Sequence, residues 1–529
     1  MITDSEHQNE IFRMAKQMVK ERQDITGSNC LKGVSGKVIV DEKGIKDTWK
    51  EYMEKLMNEE NEWDHGISAG VKEGPADCIK TSEVTAALKR MKKHKAPGLS
   101  GLAAEMIQAA GDTGTQWILD LCNRIVKEGC IPEDWKSSVV LPIYKGKGDP
   151  MECGSYRGIK LLEHAMKVVE RIFEHRIRQQ VEIDDMQFGF MKGKGTTDAI
   201  FTVRQMQEKF RVKGKKLYFG FVDLEKAFDR VPREVIRWAM RKLGVEEWLI
   251  AAVMSMYTGA KTVVRTVYGN SERFEVKVGM HQGSALSPLL FVIVMEAISR
   301  EFRVALPWEL LYADDLVVIA ETEDELIRRL NEWKDNVERR GMRVNMNKTK
   351  VMISGERQKQ VQKAVRWPCG VCGRGVGSNS IQCISCQKWV HKKCSGIKGS
   401  MFKVMKSFNC KGCLNPVTSG GRTSVDIGAS ANLELVDKFC YLGDMLSVEG
   451  DADAAVEARI RVGWNKFRQL VPLLTNKDIS LIRRGKLYSS CVRSSMLHGS
   501  ETWPVRKENE MALQRAEIRM VRWMCGVKL

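Results

Sequence analysis

Two periods of apolar and polar residues run along this chain and sort most of it into elements. Ile11, Met14, Ala15, Met18 and Val19 recur at helical spacing, as do Trp49, Tyr52, Met53 and Leu56. Residues 1 to 65 are therefore predicted to be helical, with Val38 to Lys46 as a small hairpin between the helices. A helix is expected from Leu102 to Ala110 and a strand from Val139 to Tyr144. Across 161 to 181, Leu161, Leu162, Ala165, Val168, Val169 and Ile172 form the stripe of a buried amphipathic helix. Leu217 to Val222 is a near-continuous apolar run, the pattern of a central strand covered on both faces, and it ends on Asp223. The next helix starts at Pro232, carries Val235, Ile236, Ala239, Met240 and Leu243 on one face and stops at Gly244, so Asp223 stands too early to cap it. Ser287 as N-cap and Pro288 at the first helical position open a helix that is apolar almost all round. An amphipathic helix is expected from Asp324 to Arg340, and a strand from Arg343 to Ser354.

Between those last helices lies W-E-L-L-Y-A-D-D-L-V-V-I-A, Trp308 to Ala320. It reads as strand, tight turn and strand, with Asp314 and Asp315 at the turn. Both flanking runs want burial, so two carboxylates protrude from an apolar platform. Desolvating an uncompensated carboxylate costs several kcal/mol, and oxygen-loving Mg²⁺ is a natural compensation. A solvated Asp-Asp turn is the alternative for the hairpin taken alone. The Asp223 strand tip adds a third carboxylate, and the segment between them supplies helices to pack behind one sheet. A two-metal phosphoryl-transfer site needs that arrangement.

The 529 residues carry a formal net charge of +18 and are 43% hydrophobic. This excludes a disordered chain and makes nucleic acid the leading partner, ahead of membrane. Without a long apolar run or an apolar start, the expected location is nucleus or cytoplasm, not secretion. Basic residues cluster in K-R-M-K-K-H-K-A-P-G-L-S-G from Lys89. Lys145 and Arg157 are expected on Gly-rich connections where cations reach a phosphate, with plain surface charge as the alternative. The loop Gln187 to Thr197 offers Lys192 and Lys194, but its glycines match no nucleotide fingerprint.

Seven of the 15 cysteines fall in Cys369-x2-Cys372-x10-Cys383-x2-Cys386-x4-His391-x2-Cys394-x15-Cys410-x2-Cys413. Eight soft ligands with no open position make two structural, tetrahedral Zn²⁺ sites. This order, with Trp389 two before the histidine, resembles the PHD finger. The resemblance implies a cross-brace in which Cys369, Cys372, His391 and Cys394 hold one zinc and Cys383, Cys386, Cys410 and Cys413 the other. It also implies histone-tail reading, with Trp389 at a cage position; packing or nucleic-acid contact is the competing role for this finger.

The strings F-V-D-L-E-K-A-F-D-R-V-P, H-Q-G-S-A-L-S-P-L-L-F, Y-A-D-D and R-V-N-M-N-K-T-K, in that order, resemble motifs A to D of the reverse transcriptases of non-LTR (LINE-like) retrotransposons. F-C-Y-L-G-D at Phe439 to Asp444 resembles the motif E primer grip. The resemblance implies an α+β right-hand polymerase, with fingers, palm and thumb and a palm sheet backed by helices. On it, residues 1–85 form an N-terminal helical extension, 86–355 fingers and palm, 366–415 the inserted PHD-like finger, and 430–529 primer grip and helical thumb. Asp223, Asp314 and Asp315 would be catalytic and hold two Mg²⁺, while Phe228 would exclude a ribose 2′-hydroxyl. Gln282 and Gly283 would line the dNTP pocket, Lys145 and Arg157 would grip the triphosphate, and Lys348 would give a proton to pyrophosphate. Partners would be an RNA template, a DNA primer and dNTPs. Departures are Leu99, Ser100 and Gly101 where relatives have P-D-G, and Lys192 and Lys194 in place of Pro and Arg. The absence of an endonuclease domain implies one segment of a longer or decayed element. The rival expectation is a catalytically idle, element-derived protein binding nucleic acid or chromatin through the finger and the basic surface.

Overall fold

The computed structural model describes residues 30–33, 35–304, 306–355, 380–382, 389–395, 424–426 and 432–527. The helix expected around Ile11 to Val19 and six of the eight zinc-cassette ligands lie outside them. The elements used below are α1 (Glu42–Asn58), β1 (Ser137–Tyr144), β2 (Tyr156–Leu161), α2 (His164–Gln180), α3 (Thr196–Val212), β3 (Leu217–Asp223), α4 (Arg233–Lys242) and β4 (Lys261–Thr266). They continue with α5 (Ser287–Ser299), β5 (Glu309–Tyr312), β6 (Asp315–Ala320), α6 (Glu323–Glu338), β7 (Lys350–Ser354), β8 (Ser424–Asp426) and β9 (Asn432–Leu435). The last are β10 (Lys438–Tyr441), β11 (Asp444–Ser447), α7 (Asp453–Leu474) and α8 (Lys507–Cys525). Together they make a mixed α/β structure.

A six-stranded sheet in the order β8-β9-β7-β3-β6-β5 organises the molecule. As its unbroken apolar run demanded, β3 lies inside, antiparallel to β6 on one side and β7 on the other. One face packs Val222, Leu316 and Val318 against α4, α5 and α6. The other packs Phe219, Phe221, Val317 and Ile319 against α3 and the β10–β11 hairpin. Burying each such side chain contributes about 1.5–3 kcal/mol, so the hairpin between β5 and β6 is held from both sides. A second sheet pairs β2 with β1 antiparallel and β1 with β4 parallel, and α1 covers it through Trp49 and Met53. The C-terminal helices, α7 and α8 among them, pack around Phe467, Leu470 and Met520 in a separate core.

Three expectations need correction. The hairpin placed at Val38 to Lys46 instead pairs Leu31–Lys32 with Val38–Ile39. Asp41 accepts a hydrogen bond from Gly44 N and starts α1 at Glu42, since capping of the helix outweighs strand propensity there. The strand predicted from Arg343 begins only at Lys350. The Lys348 backbone N–H donates to both the carbonyl and the side chain of Asn345, and that turn breaks the strand. Ser287 is the first residue of α5 rather than its cap; the Ser284 hydroxyl accepts from the N–H groups of Leu286 and Ser287.

Candidate active site

The end of β3 and the start of β6 face each other in register, with Asp223 opposite Asp315. Directly opposed residues in an antiparallel pair have Cβ atoms about 5 Å apart. Ala313, at φ +58°, lets the chain turn back tightly enough to leave Asp314 at the mouth of the hairpin. Asp223 is fixed through its backbone, whose carbonyl accepts from Asn345 N at 2.8 Å, and the Lys348 ammonium donates to its Oδ2 at 3.2 Å. Burial lifts the Asp314 carboxyl above the usual range, with Asp223 repelling it further, while Arg157 and Lys348 pull the other way. Asp315 is pushed up to about 6 by burial and then by Asp314 and Asp223. Among the described residues, no group of three or more ligating side chains is drawn tightly enough together to hold a metal as it stands. Yet the donor set fits a divalent cation: hard carboxylate oxygens that raise one another's proton affinity are stabilised by positive charge placed between them.

Beside this turn opens a recess of about 880 Å³, lined by Asp223, Asp314, Lys145, Arg157, Phe228, Gln282, Gly283 and Lys348 among others. Every polymerase-site residue expected from the sequence, except Asp315, therefore lines one cavity. Arg157 reaches it from β2, where it pairs with Ile143, and not from a Gly-rich connection. The Lys145 ammonium donates to Gly154 O at 2.8 Å. Its affinity for a proton is lowered by burial first and then by Arg157, Lys226, Lys348 and Lys147. Cations crowded in this way repel one another, and a bound anion would relieve that repulsion. Phe228 stacks on Phe291 with ring centroids 4.6 Å apart and planes 16° from parallel, which fixes the ring at the wall.

The Gln282 amide nitrogen lies 2.8 Å from both carboxylate oxygens of Asp229, so the carbonyl end of the amide is turned away from that carboxylate. Gly283 has φ +109°, and a Cβ there would lie 2.5 Å from the Lys160 carbonyl oxygen, so this position requires glycine. Lys160, only 3% exposed, has its ammonium pushed down to about 7 by burial and by Arg233, against the pull of Asp229. Asp229, Lys160 and Lys226 were not foreseen as site residues, nor was Tyr441. The Tyr441 hydroxyl has no hydrogen-bond partner among the described residues and is held protonated by burial and by Asp315. For Lys226 and Asp229 the available signal was their place in E-K-A-F-D-R, on either side of Phe228. Lys192 and Lys194 do not line the recess; Lys194 instead pairs with Asp185 at 2.8 Å.

A family model described as reverse transcriptase (RNA-dependent DNA polymerase) matches residues 143–383, a span that holds the opposed strands and the hairpin. The chain thus carries a reverse transcriptase domain. A second model, the PHD-finger, matches residues 369–413, from the first cysteine of the cassette to the last. Among curated relatives, the putative 115 kDa protein in type-1 retrotransposable element R1DM of Drosophila melanogaster is 30% identical over 249 residues, 46% of this chain and 24% of that one. The Pol polyprotein from type-1 retrotransposable element R2 of Nasonia vitripennis is 26% identical over 386 residues, 69% of this chain and 37% of that one. The RNA-directed DNA polymerase from mobile element jockey of Drosophila funebris is 28% identical over 259 residues, 47% and 28% of the two chains. The match thus spans between about a quarter and somewhat over a third of these non-LTR relatives.

A reverse transcriptase domain implies dependence on a divalent metal, and a PHD finger implies zinc. Of the eight cassette ligands, His391 and Cys394 are described, and His391 Nδ1 lies 3.8 Å from Cys394 Sγ. Nitrogen and sulfur ligands of one tetrahedral zinc, at roughly 2.0 and 2.3 Å from it, stand about 3.5 Å apart. No helix among the described residues is long and apolar enough to cross a membrane.

Proposed function

We propose that this chain is an RNA-directed DNA polymerase of a non-LTR element, extending a DNA primer on an RNA template. The observation that carries the reading is the opposition of Asp223 and Asp315, with Asp314 next to Asp315 in the turn, beside a cation-lined recess. Two Mg²⁺ held by Asp223 and Asp314, with Asp315 beside them, would supply activation of the primer 3′-hydroxyl and neutralisation of the leaving pyrophosphate. Lys145 and Arg157 hold the triphosphate by charge, and their mutual repulsion is relieved when it binds. The stacked Phe228 ring occupies the place of a 2′-hydroxyl, so deoxyribose enters and ribose clashes. Gln282 and Gly283 form the floor, and Lys348, already beside Asp223, is placed to give a proton to the departing pyrophosphate. The central sheet with its helices is the palm, β1 and β2 belong to the fingers, β10–β11 is the primer grip, and the helices from α7 onward are the thumb. The finger holds two zinc ions in the cross-braced pairing and offers a site for a histone tail or other chromatin.

With poly(rA), an oligo(dT) primer and Mg²⁺, the purified chain should add dTTP and discriminate strongly against UTP, and Phe228→Ala should lose most of that discrimination. Retention of the RNA with no extension would instead favour an idle binding module.

A further inference from the structure

We propose that the ring of Phe190 is a stacking platform for a nucleobase beside the catalytic turn, an inference that rests on the polymerase reading. Phe190 sits at φ +60°, the left-handed region that an aromatic L-residue rarely adopts. The residue is nevertheless 45% exposed, and it lines the same recess as Asp314 and Phe228. A backbone held in an unfavourable region, with a large apolar ring turned to solvent, is costly twice over and gains no burial in return. Strain of this kind gathers where a ligand is clamped.

Packing does not ask for the ring. The apolar position of this loop that enters the core is Phe188, buried beneath Lys194. The conformation of Phe190 is imposed by its neighbours. Phe188 N donates to Leu311 O at 2.7 Å and Leu311 N to Met186 O at 2.9 Å, so the loop runs as an added edge along β5. Gly189 is pressed onto the catalytic turn so closely that a Cβ there would lie 2.5 Å from Ala313 N. Arg178 then pins the Phe190 carbonyl at 3.0 Å. The loop thus grips the turn that carries Asp314 and turns its one spare aromatic face into the recess. The charged groups of the recess suit phosphates; a flat π-face suits a base, whatever its identity. That base belongs to the template–primer or to the incoming nucleotide.

Phe190→Gly, Phe190→Leu and Phe190→Trp in the full chain test this. Glycine relieves the left-handed backbone, so the melting midpoint should hold or rise. Primer extension on poly(rA) and oligo(dT) should nevertheless fall about tenfold, the worth of one base stack. Leucine should lose activity similarly, and tryptophan should keep it. A loss confined to the dTTP KM assigns the base to the incoming nucleotide; a loss in affinity for labelled poly(rA)–oligo(dT), read by fluorescence anisotropy, assigns it to the template–primer. With the wild-type chain active, extension by Phe190→Gly within twofold of it, at unchanged KM and affinity, overturns the proposal, as does a Trp variant no better than Gly. If the wild-type chain extends nothing, the polymerase reading fails separately. Template–primer affinity then decides for the platform, and equal affinities of wild type and Phe190→Gly overturn it.

Discussion

At the scale of single residues, the aspartates at the turn carry a measurable signature apart from catalysis. Without a cation, the folded protein holds the Asp315 proton up to about 6, while the unfolded chain releases it in the ordinary carboxylate range. The folded form therefore binds the proton more tightly, and this group's contribution to stability is lost as pH rises through that window. A divalent cation acts in the opposite sense, because it binds the ionised pair in the folded state alone. Mg²⁺ should raise the melting midpoint by a few degrees at pH 7.5 and much less at pH 5, and Asp314→Asn should abolish the difference. An equal Mg²⁺ effect at both pH values would remove the cation site from this turn. These aspartates were legible from sequence because each ends or begins an apolar run that has only one way to be buried. Lys160 was not: in Y-R-G-I-K it looks like surface charge. Its burial comes from the packing of β2 beneath the Gln282–Gly283 loop, more than 100 residues on, whose Gln282 carbonyl accepts the Lys160 backbone N–H at 2.7 Å. Asp229 was missed for the same reason, since its partner Gln282 comes from another segment.

At the scale of elements, one buried joint ties α3 to the β10–β11 hairpin and to the C-terminal helices. Arg204 donates to Asp444 Oδ2 at 2.8 Å, to Met445 O at 3.0 Å and to Asp451 O at 3.3 Å, and Trp503 Nε1 lies 3.3 Å from the same carboxylate. The two charged side chains are 4% and 0% exposed. Removing one partner leaves the other charged and dry, so Arg204→Met should cost about 3–5 kcal/mol in denaturant unfolding. The double variant Arg204→Met/Asp444→Leu should recover much of that loss. If the single change costs under about 1 kcal/mol, as an exposed pair would, the joint is not what holds the hairpin. Long elements with one clear period, β3, α5 and α6, stood where the pattern put them. Two misplaced ones lost out to local turns: the hairpin at Val38 gave way to a helix cap at Asp41, and the start of the strand from Arg343 to the turn at Asn345. In both, a local side-chain hydrogen bond outweighed strand propensity, a contest that hydrophobic periodicity does not register.

At the scale of the whole molecule, β7 ends at Ser354 and β9 lies parallel to it in the same sheet, with Lys350 opposite Glu434. Parallel neighbours need a crossover of a dozen residues or more, and here the crossover contains the PHD finger, residues 369–413. An insertion between adjacent strands of a sheet leaves the strands' register untouched, so the finger is expected to unfold without the rest of the chain. Chelation should release about two zinc ions per chain while the melting of the remainder changes little; recovery of fewer than about one ion would remove the cross-braced pairing. The most direct test of the whole reading is single-nucleotide addition to a DNA primer on an RNA template by wild type, Asp223→Ala and Asp314→Ala, each first shown to bind the template–primer. The expected result is Mg²⁺-dependent addition by the wild-type chain and a loss of about a thousandfold or more in both variants at unchanged binding. Addition by either variant within tenfold of wild type would contradict it.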